Sequence, residues 1–158
     1  MREDLYTCAD AVEEFDRRAR KAILICSPAA EDHADVCDLL AETGWEVYHA
    51  RNCREALRYF CKDGLEVILC EARLPDGTWK DVLSYLAEMM NPPALIVASR
   101  VADEQLWAEV LHLGGQDVLA KPFEGREVRH AVANARRHQD PASRLSTSRR
   151  KAFSAAAP

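Results

Sequence analysis

Four polar residues whose types could do chemistry each stand at the end of a short apolar run: Ser27, Glu71, Ser99 and Lys121. The run before Glu71, residues 67–70, is continuously apolar with β-branched members, which is typical of a strand buried on both faces. Open parallel sheets bind ligands beyond the carboxyl ends of their strands, so a carboxylate at this point is where chemistry is expected. Alone, each residue has an ordinary explanation as a loop cap or a solvated side chain. Convergence of all four on one crevice favours a functional site.

The elements that must position these residues are five apolar runs that alternate with five segments of helical periodicity. This pattern predicts βαβ units and a parallel sheet with helices on both faces. Right-handed crossovers favour the flavodoxin-like, doubly wound α/β fold with strand order 2-1-3-4-5, which brings the ends of strands one, three, four and five to one crevice. The predicted strands are 22–26, 45–50, 67–70, 94–99 and 117–120, and the predicted helices are 31–43, 55–60, 81–90, 103–113 and 124–138.

Composition divides the chain into three parts. Residues 1–20 are predicted to be a charged extension or a short helix, residues 21–138 the α/β domain, and residues 139–158 a disordered basic tail. The net charge is −5 and the body of the domain is acidic, which argues against specific nucleic-acid binding. The basic tail residues would add only weak, salt-dependent affinity for nucleic acid; they are Arg144, Arg149, Arg150 and Lys151.

Six cysteines form no C-x-x-C pair and lie mostly inside apolar segments, which is typical of buried thiols in a reducing compartment. The sequence contains no apolar run of the length of a membrane span or a secretion signal. We therefore expect a cytoplasmic protein without membrane contacts. The five histidines show no ligand spacing with Cys or Asp, so we expect no metal site, no cofactor and no conventional enzyme.

Over roughly residues 21–138 the chain resembles the response-regulator receiver domain of bacterial two-component signalling. The motifs that carry the resemblance are Ile-Leu-Ile-Cys on the first strand, Glu-Ala-Arg-Leu-Pro-Asp-Gly from Glu71, Ile-Val-Ala-Ser ending at Ser99, Leu-Gly-Gly-Gln-Asp-Val-Leu-Ala, and Lys-Pro-Phe from Lys121. The resemblance implies an aspartate after the third strand that a histidine kinase phosphorylates. It also implies an acidic pair that helps to hold Mg²⁺, a hydroxyl that bonds the phosphoryl group, and a lysine that neutralises it.

The match to the family is intact at two positions. Ser99 stands at the position of the switch hydroxyl, and Lys121 at that of the site lysine. Glu71 replaces the phosphoacceptor aspartate. Val118 stands where the family carries a signalling aromatic residue, and Trp79 stands where a glycine is expected.

The acidic pair is the largest departure, because ungapped spacing places Ser27 and Pro28 at its two positions. The same spacing leads us to expect that neither Glu31 nor Asp32 takes over its role. Mg²⁺ prefers near-octahedral oxygen ligands, and Ser27 is a weak ligand while Pro28 offers none. Without the metal, the repulsion between Glu71 and a phosphoryl group is hardly offset, and the extra methylene of Glu71 displaces the nucleophilic oxygen. We predict that phosphotransfer is lost or very poor.

The sequence thus indicates a pseudo-receiver that works independently of phosphorylation, through contacts with signalling proteins such as a sensor kinase or an effector. In one version of this hypothesis Glu71 imitates the phosphorylated state by reaching Lys121 and Ser99. In the other the site has decayed and Glu71 only neutralises Lys121. Two alternatives stay open, namely a residually phosphorylatable receiver and a thiol-based redox switch through Cys26 and Cys70.

The output surface is expected to be the fourth helix, fifth strand and fifth helix, the face that the family uses. The residues outside the domain are too few for an effector domain, so the output is expected to go through surface contacts. Trp107 and the exposed side of residues 104–111 are the first candidates for such contacts. A homodimer through the same face is a further expectation.

Overall fold

A five-stranded parallel sheet forms the centre of the domain in the computed structural model, which describes residues 21–139. We number its strands β1 (Lys21–Cys26), β2 (Trp45–Ala50), β3 (Leu65–Glu71), β4 (Ala94–Ser99) and β5 (Asp117–Ala120). Their order across the sheet is β2-β1-β3-β4-β5, and every neighbouring pair is parallel. The predicted fold class and strand order are confirmed.

Five helices cover the two faces of this sheet. They are α1 (Ala30–Leu40), α2 (Cys53–Leu57), α3 (Trp79–Ala87), α4 (Glu104–Leu113) and α5 (Gly125–Gln139). Helices α1 and α5 pack on one face, and α2, α3 and α4 pack on the other. The central strands are continuously apolar because alternate side chains enter two different cores: Leu24 and Cys26 face α2 and α3, whereas Ile23 and Ile25 face α1 and α5.

Side-chain caps fix where three helices begin. The Asn52 side chain accepts a hydrogen bond from the Glu55 backbone N–H at 2.8 Å and starts α2, as its position before the helix predicts. Thr78 and Asp81 form a capping box at the start of α3. Asp103 accepts from the Leu106 N–H at 2.8 Å and starts α4. The caps of α3 and α4 lie just beyond the ends of β3 and β4, so they fix the loops around the candidate site.

Several predicted boundaries were wrong by two to three residues, for local reasons. Helix α2 begins directly after its cap and ends at Leu57, where the backbone changes to tighter bonds such as Tyr59 N–H to Ala56 O. Helix α1 ends at Leu40, because Thr43 binds the Leu40 carbonyl through both its N–H and its hydroxyl. The position of Gly44 after the periodic segment predicts a helix C-cap, and this prediction was wrong. Gly44, with φ of +79°, instead forms the turn into β2.

The turn after β3 contains a feature that the sequence pattern did not reveal. Arg73–Leu74 and Gly77–Thr78 form a two-stranded antiparallel ribbon around Pro75 and Asp76. Both carboxylate oxygens of Asp76 accept backbone N–H groups at the start of α2. The predicted turn is therefore confirmed, and it also caps a neighbouring helix.

The outer parts of the chain can be compared with prediction only in part. Helix α5 includes Gln139, which composition assigns to the tail. The predicted N-terminal extension and the rest of the predicted tail lie outside the described residues. Between residues 21 and 139, no helix has the length and apolarity that crossing a bilayer requires.

Candidate functional site

The four polar residues singled out in the sequence lie at the carboxyl edge of the sheet. Ser27 directly follows β1, Glu71 is the last residue of β3, Ser99 is the last residue of β4, and Lys121 directly follows β5. The parallel register fixes this convergence, since Glu71 is the partner of Ala98 in the neighbouring strand. The Lys121 N–H also donates to the Ser99 carbonyl at 3.0 Å, which extends the ladder one step past the strands.

The Lys121 ammonium lies between two carboxylates of the site and pairs with both. Its Nζ forms an ion pair with Oε2 of Glu71 and a second one with Oδ2 of Asp32. The side chains of Lys121, Glu71 and Asp32 are only 10%, 17% and 11% exposed, respectively, so the charges are largely shielded from water. Buried charges need partners of opposite sign, and here one ammonium serves two carboxylates.

Asp32 is the site residue that sequence reasoning missed. It lies in the first turn of α1, is itself buried, and accepts a hydrogen bond from Ser27 Oγ at 2.5 Å. The Ser27 hydroxyl in turn accepts from the Ala29 N–H at 3.2 Å, which holds the loop between β1 and α1. That Asp32 does not take over the role of the acidic pair stays a prediction, whereas its contact with Lys121 is a finding that sequence reasoning did not foresee. A usable signal was an acid in the first turn of the helix that follows β1, since that turn faces the same sheet edge.

Ser99 and Pro28 do not join the charged centre. Ser99 Oγ accepts a hydrogen bond from the Val101 N–H at 3.1 Å, and among the contacts of residues 21–139 none links this hydroxyl to Glu71 or Lys121. Pro28 is exposed on the loop after β1. Val118 is buried within β5, opposite Val97 of β4.

The donor set does not fit a magnesium ion. The carboxylates of Asp32 and Glu71 are both bound to the ammonium of Lys121, and the Ser27 hydroxyl donates its hydrogen to Asp32. Pro28 has no ligand atom in its side chain. Across residues 21–139 there is no group of three or more His, Cys, Asp or Glu side chains arranged to hold a metal. A hard divalent cation would have to displace Lys121 to gain its oxygen ligands.

An open groove of about 610 Å³ lies beside Glu71, between the starts of α3 and α4. Its walls include Glu71, Trp79, Ser99 and Arg100. A surface ion pair between Lys80 and Glu109 joins α3 to α4 at this groove.

A second cavity, of about 330 Å³, lies beside Val118. Trp107 of α4 and His130 of α5 contribute to its lining. This cavity lies at the surface predicted to carry the output.

The two cysteines considered for a redox switch lie side by side in the core. Cys26 and Cys70 are register partners in β1 and β3, and both are fully buried. The hydrogen bond with Cys26, followed by burial, raises the pKa of the Cys70 thiol well above its ordinary value. Thiolate, the reactive form, is thus disfavoured at Cys70.

Comparisons with known proteins point to one family. A family model described as the response regulator receiver domain matches residues 28–133. The response regulator protein PilR of Pseudomonas aeruginosa is 30% identical over 128 residues, which cover 77% of this chain and 27% of PilR. The chemotaxis protein CheY of Thermotoga maritima is 24% identical over 113 residues, which cover 71% of this chain and 94% of CheY.

Solved structures agree with these relatives on the fold. The crystal structure of a two-component response regulator from Clostridium difficile matches with a TM-score of 0.68 at 21% identity, covering 77% of this chain and 99% of that one. The chain spans less than half the length of several curated relatives that it matches, such as PilR and the transcriptional regulatory protein YrkP of Bacillus subtilis, of which it covers 48%. The similarity thus concerns the receiver portion of those proteins.

Proposed function

Because the chain belongs to the response regulator receiver domain family, we propose that it is a pseudo-receiver of a two-component system that signals without being phosphorylated. The observation that carries this proposal is the double engagement of Lys121 by Glu71 and Asp32. In this arrangement the lysine that would neutralise a phosphoryl group already has two negative partners.

Charge balance supports the proposal. Two carboxylates and one ammonium leave a formal charge of −1 at the end of the sheet. A phosphoryl donor approaching Glu71 would meet this negative charge in a poorly solvated setting, where charges interact more strongly than in water. Catalysis of phosphoryl transfer depends on cations that stabilise the transition state, and Lys121, the cation in contact with Glu71, is already shared.

The geometry of Glu71 favours a fixed charge pair over imitation of a phosphoryl group. Glu71 contacts Lys121, whereas the Ser99 hydroxyl is hydrogen-bonded to its own loop at Val101. An imitator would engage both the lysine and the hydroxyl. We therefore take Glu71 as the permanent counter-ion of Lys121, which holds β3 and β5 together.

The module acts through protein contacts on the face made by α4, β5 and α5. Trp107 and Leu111 are neighbours on the exposed side of α4 and are 41% and 44% exposed. Aromatic anchors of this kind often supply much of the binding energy at protein interfaces. The partners that we propose are signalling proteins, a sensor kinase or an effector, and a second copy of the chain is a further candidate for the same face. We propose a cytoplasmic location, as the cysteine usage predicts.

The proposal is tested by a phosphorylation assay that includes a variant in which the aspartates implied by the family resemblance are restored. The wild type, Glu71→Asp, and the triple variant Ser27→Asp, Pro28→Asp, Glu71→Asp are incubated with acetyl phosphate and Mg²⁺ and examined by intact-protein mass spectrometry. We expect no added phosphoryl group on the wild type, little on the single variant, and labelling in the triple variant alone. Stoichiometric acyl phosphate on Glu71 of the wild type would overturn the proposal and establish the residually phosphorylatable receiver in its place.

A further inference from the structure

A cluster of one thiol and two imidazoles lies away from the candidate site, between α1 and the edge strand β2. Cys37 and His33 are four residues apart on α1 and so share one side of the helix, and His49 lies on β2 facing them. Cys37 Sγ is 3.7 Å from Nε2 of His49, and Nδ1 of His49 is 2.8 Å from Nδ1 of His33. Nε2 of His33 is 2.8 Å from the backbone carbonyl oxygen of Ser27.

The Ser27 carbonyl determines which ring nitrogens of neutral His33 and neutral His49 carry a hydrogen. A carbonyl oxygen only accepts, so Nε2 of His33 carries a hydrogen and donates it to Ser27. Nδ1 of neutral His33 is then an acceptor, which requires Nδ1 of His49 to donate. Nε2 of neutral His49 is left as an acceptor that faces the Cys37 thiol. The tautomers are assigned from this chain of hydrogen bonds.

We propose that Cys37 is a nucleophilic thiol and a modification site for small disulfides, with His49 as its general base and His33 as a positioning residue. The arrangement has the parts that activated nucleophiles share: a nucleophile within reach of a base, and a base oriented by a third group. Cys37 is partly exposed, so a small molecule can reach it.

The proposed reaction is a thiol–disulfide exchange. The Cys37 proton moves to Nε2 of His49 while Sγ attacks one sulfur of the small disulfide. A bond forms between Cys37 and that sulfur, the original sulfur–sulfur bond breaks, and the departing thiolate takes the proton from His49. Cys37 is oxidised to a mixed disulfide, and the small disulfide is reduced to one free thiol.

The environment of His49 supports its role as a base. Partial burial, and then the neighbouring charge of His33, lower the pKa of His49 below its ordinary value. The neutral ring, which is the form that accepts a proton, is therefore the prevailing form at neutral pH. Cys26 and Cys70 differ from Cys37 in exposure, since both are buried in the core.

The charges around Cys37 predict which disulfides react fastest. Helix α1 carries four acids and no Lys or Arg. Three of these acids, Glu31, Asp35 and Asp38, are exposed, and Asp38 directly follows Cys37 in the chain. Their local field attracts cations and repels anions in a salt-dependent way. The preferred reagent is thus a cationic disulfide.

The test measures second-order rate constants for individual cysteines of the 158-residue chain by peptide mass spectrometry. The probes are cystamine, which is cationic, and dithiodipropionate, which is anionic. Cys61 is the internal control, because it is a more exposed free cysteine with no imidazole contact among the described residues. We expect Cys37 to react with cystamine about tenfold to a hundredfold faster than Cys61. This acceleration is at or below the rate enhancement that a general base usually contributes. We also expect cystamine to lose its advantage over dithiodipropionate at high salt.

Variants of the two histidines decide the assignment of roles. His49→Gln and His49→Leu should both reduce the Cys37 rate to that of Cys61, since neither side chain is a base. His33→Leu should slow Cys37, and His33→Asn should restore the rate because its amide oxygen can replace Nδ1 as the acceptor. The Cys61 rate and the thermal unfolding curve of each variant check that the fold is intact. Equal rates for Cys37 and Cys61 in the wild type, or a Cys37 rate that is unchanged in folded His49→Gln, would overturn the proposal.

Discussion

Asp32, in the first turn of α1, and Glu71, at the end of β3, contact the same atom, Nζ of Lys121. The two acids are far apart in sequence, and they approach only because β1, β3 and β5 end at the same edge of the sheet. Lys121 therefore joins three separate parts of the fold. Its removal would leave two poorly solvated carboxylates facing each other.

Substitution of Lys121 should destabilise the domain strongly. We expect Lys121→Met to lower the free energy of unfolding by about 3–5 kcal/mol, because it leaves buried charges without their partner. The matched control is Lys80→Met, which removes the ion pair with Glu109, where the Lys80 side chain is 54% exposed. The control should change the free energy by at most about 1 kcal/mol. Urea unfolding followed by circular dichroism measures the free energy of unfolding of both variants. Equal decreases in the two variants would contradict the assignment of Lys121 as the shared partner of two buried carboxylates.

The two carboxylates should be coupled. Asp32→Asn and Glu71→Gln each leave Lys121 with one charged partner, so each single change should cost less than Lys121→Met. The double variant removes both of these partners, and its cost should exceed the sum of the single costs by about 0.5–3 kcal/mol. A double-mutant cycle of urea unfolding measures this coupling. A strictly additive result would show that the two ion pairs are independent.

Asp76 should make stability depend on acidic pH. Its pKa is lowered chiefly because its carboxylate accepts the backbone N–H of Cys53, with a further bond from Arg54. A lowered folded pKa adds stability above the unfolded pKa of about 3.9, and this contribution is lost as the pH falls through the folded value. Asp76→Ala should thus reduce the thermal midpoint near neutral pH and have a shrinking effect as the solution is acidified. The exposed acid Asp63 supplies the control, and Asp63→Ala should show no comparable trend.

His49 should make stability depend on pH closer to neutrality. Its pKa is lowered by burial and by His33, so the unfolded chain takes up this proton more readily than the folded one. Stability associated with His49 is therefore present above the unfolded pKa of about 6.5 and declines as the pH falls below that value. Unfolding of the wild type across mildly acidic to neutral pH should show this slope, and His49→Gln should reduce it. His112→Gln, on the exposed side of α4, is the control, and a slope that persists in His49→Gln would contradict its assignment to His49.

The fold was predictable because its signals are local. Apolar runs such as residues 67–70, the Asn52 cap and the breaks at proline and glycine mark the elements, and the crossover rule then leaves one natural strand order. The convergence of Glu71 and Lys121 followed directly from that order. The ribbon around Pro75 and Asp76 escaped prediction because two-residue strands carry no periodicity.

The side-chain partnerships were less accessible to sequence reasoning. Asp32 was set aside because an ungapped comparison assigns a role to a position, whereas the contact depends on how far a helical side chain reaches. The cluster of His33, Cys37 and His49 joins a helix to an edge strand, so His49 has no regular spacing along the chain from the other two members. Such contacts are fixed by the packing of α1 on β2, which the sequence pattern alone does not specify.

The Glu71 carboxylate that is bound to Lys121 is part of the polypeptide, and under the proposed function this determines how long a signal from the domain lasts. A covalently built charge is not hydrolysed and persists for the lifetime of the folded molecule. Under the proposed function, the number of active copies in a cell would follow synthesis and degradation of the chain, with no enzyme needed to phosphorylate or dephosphorylate them.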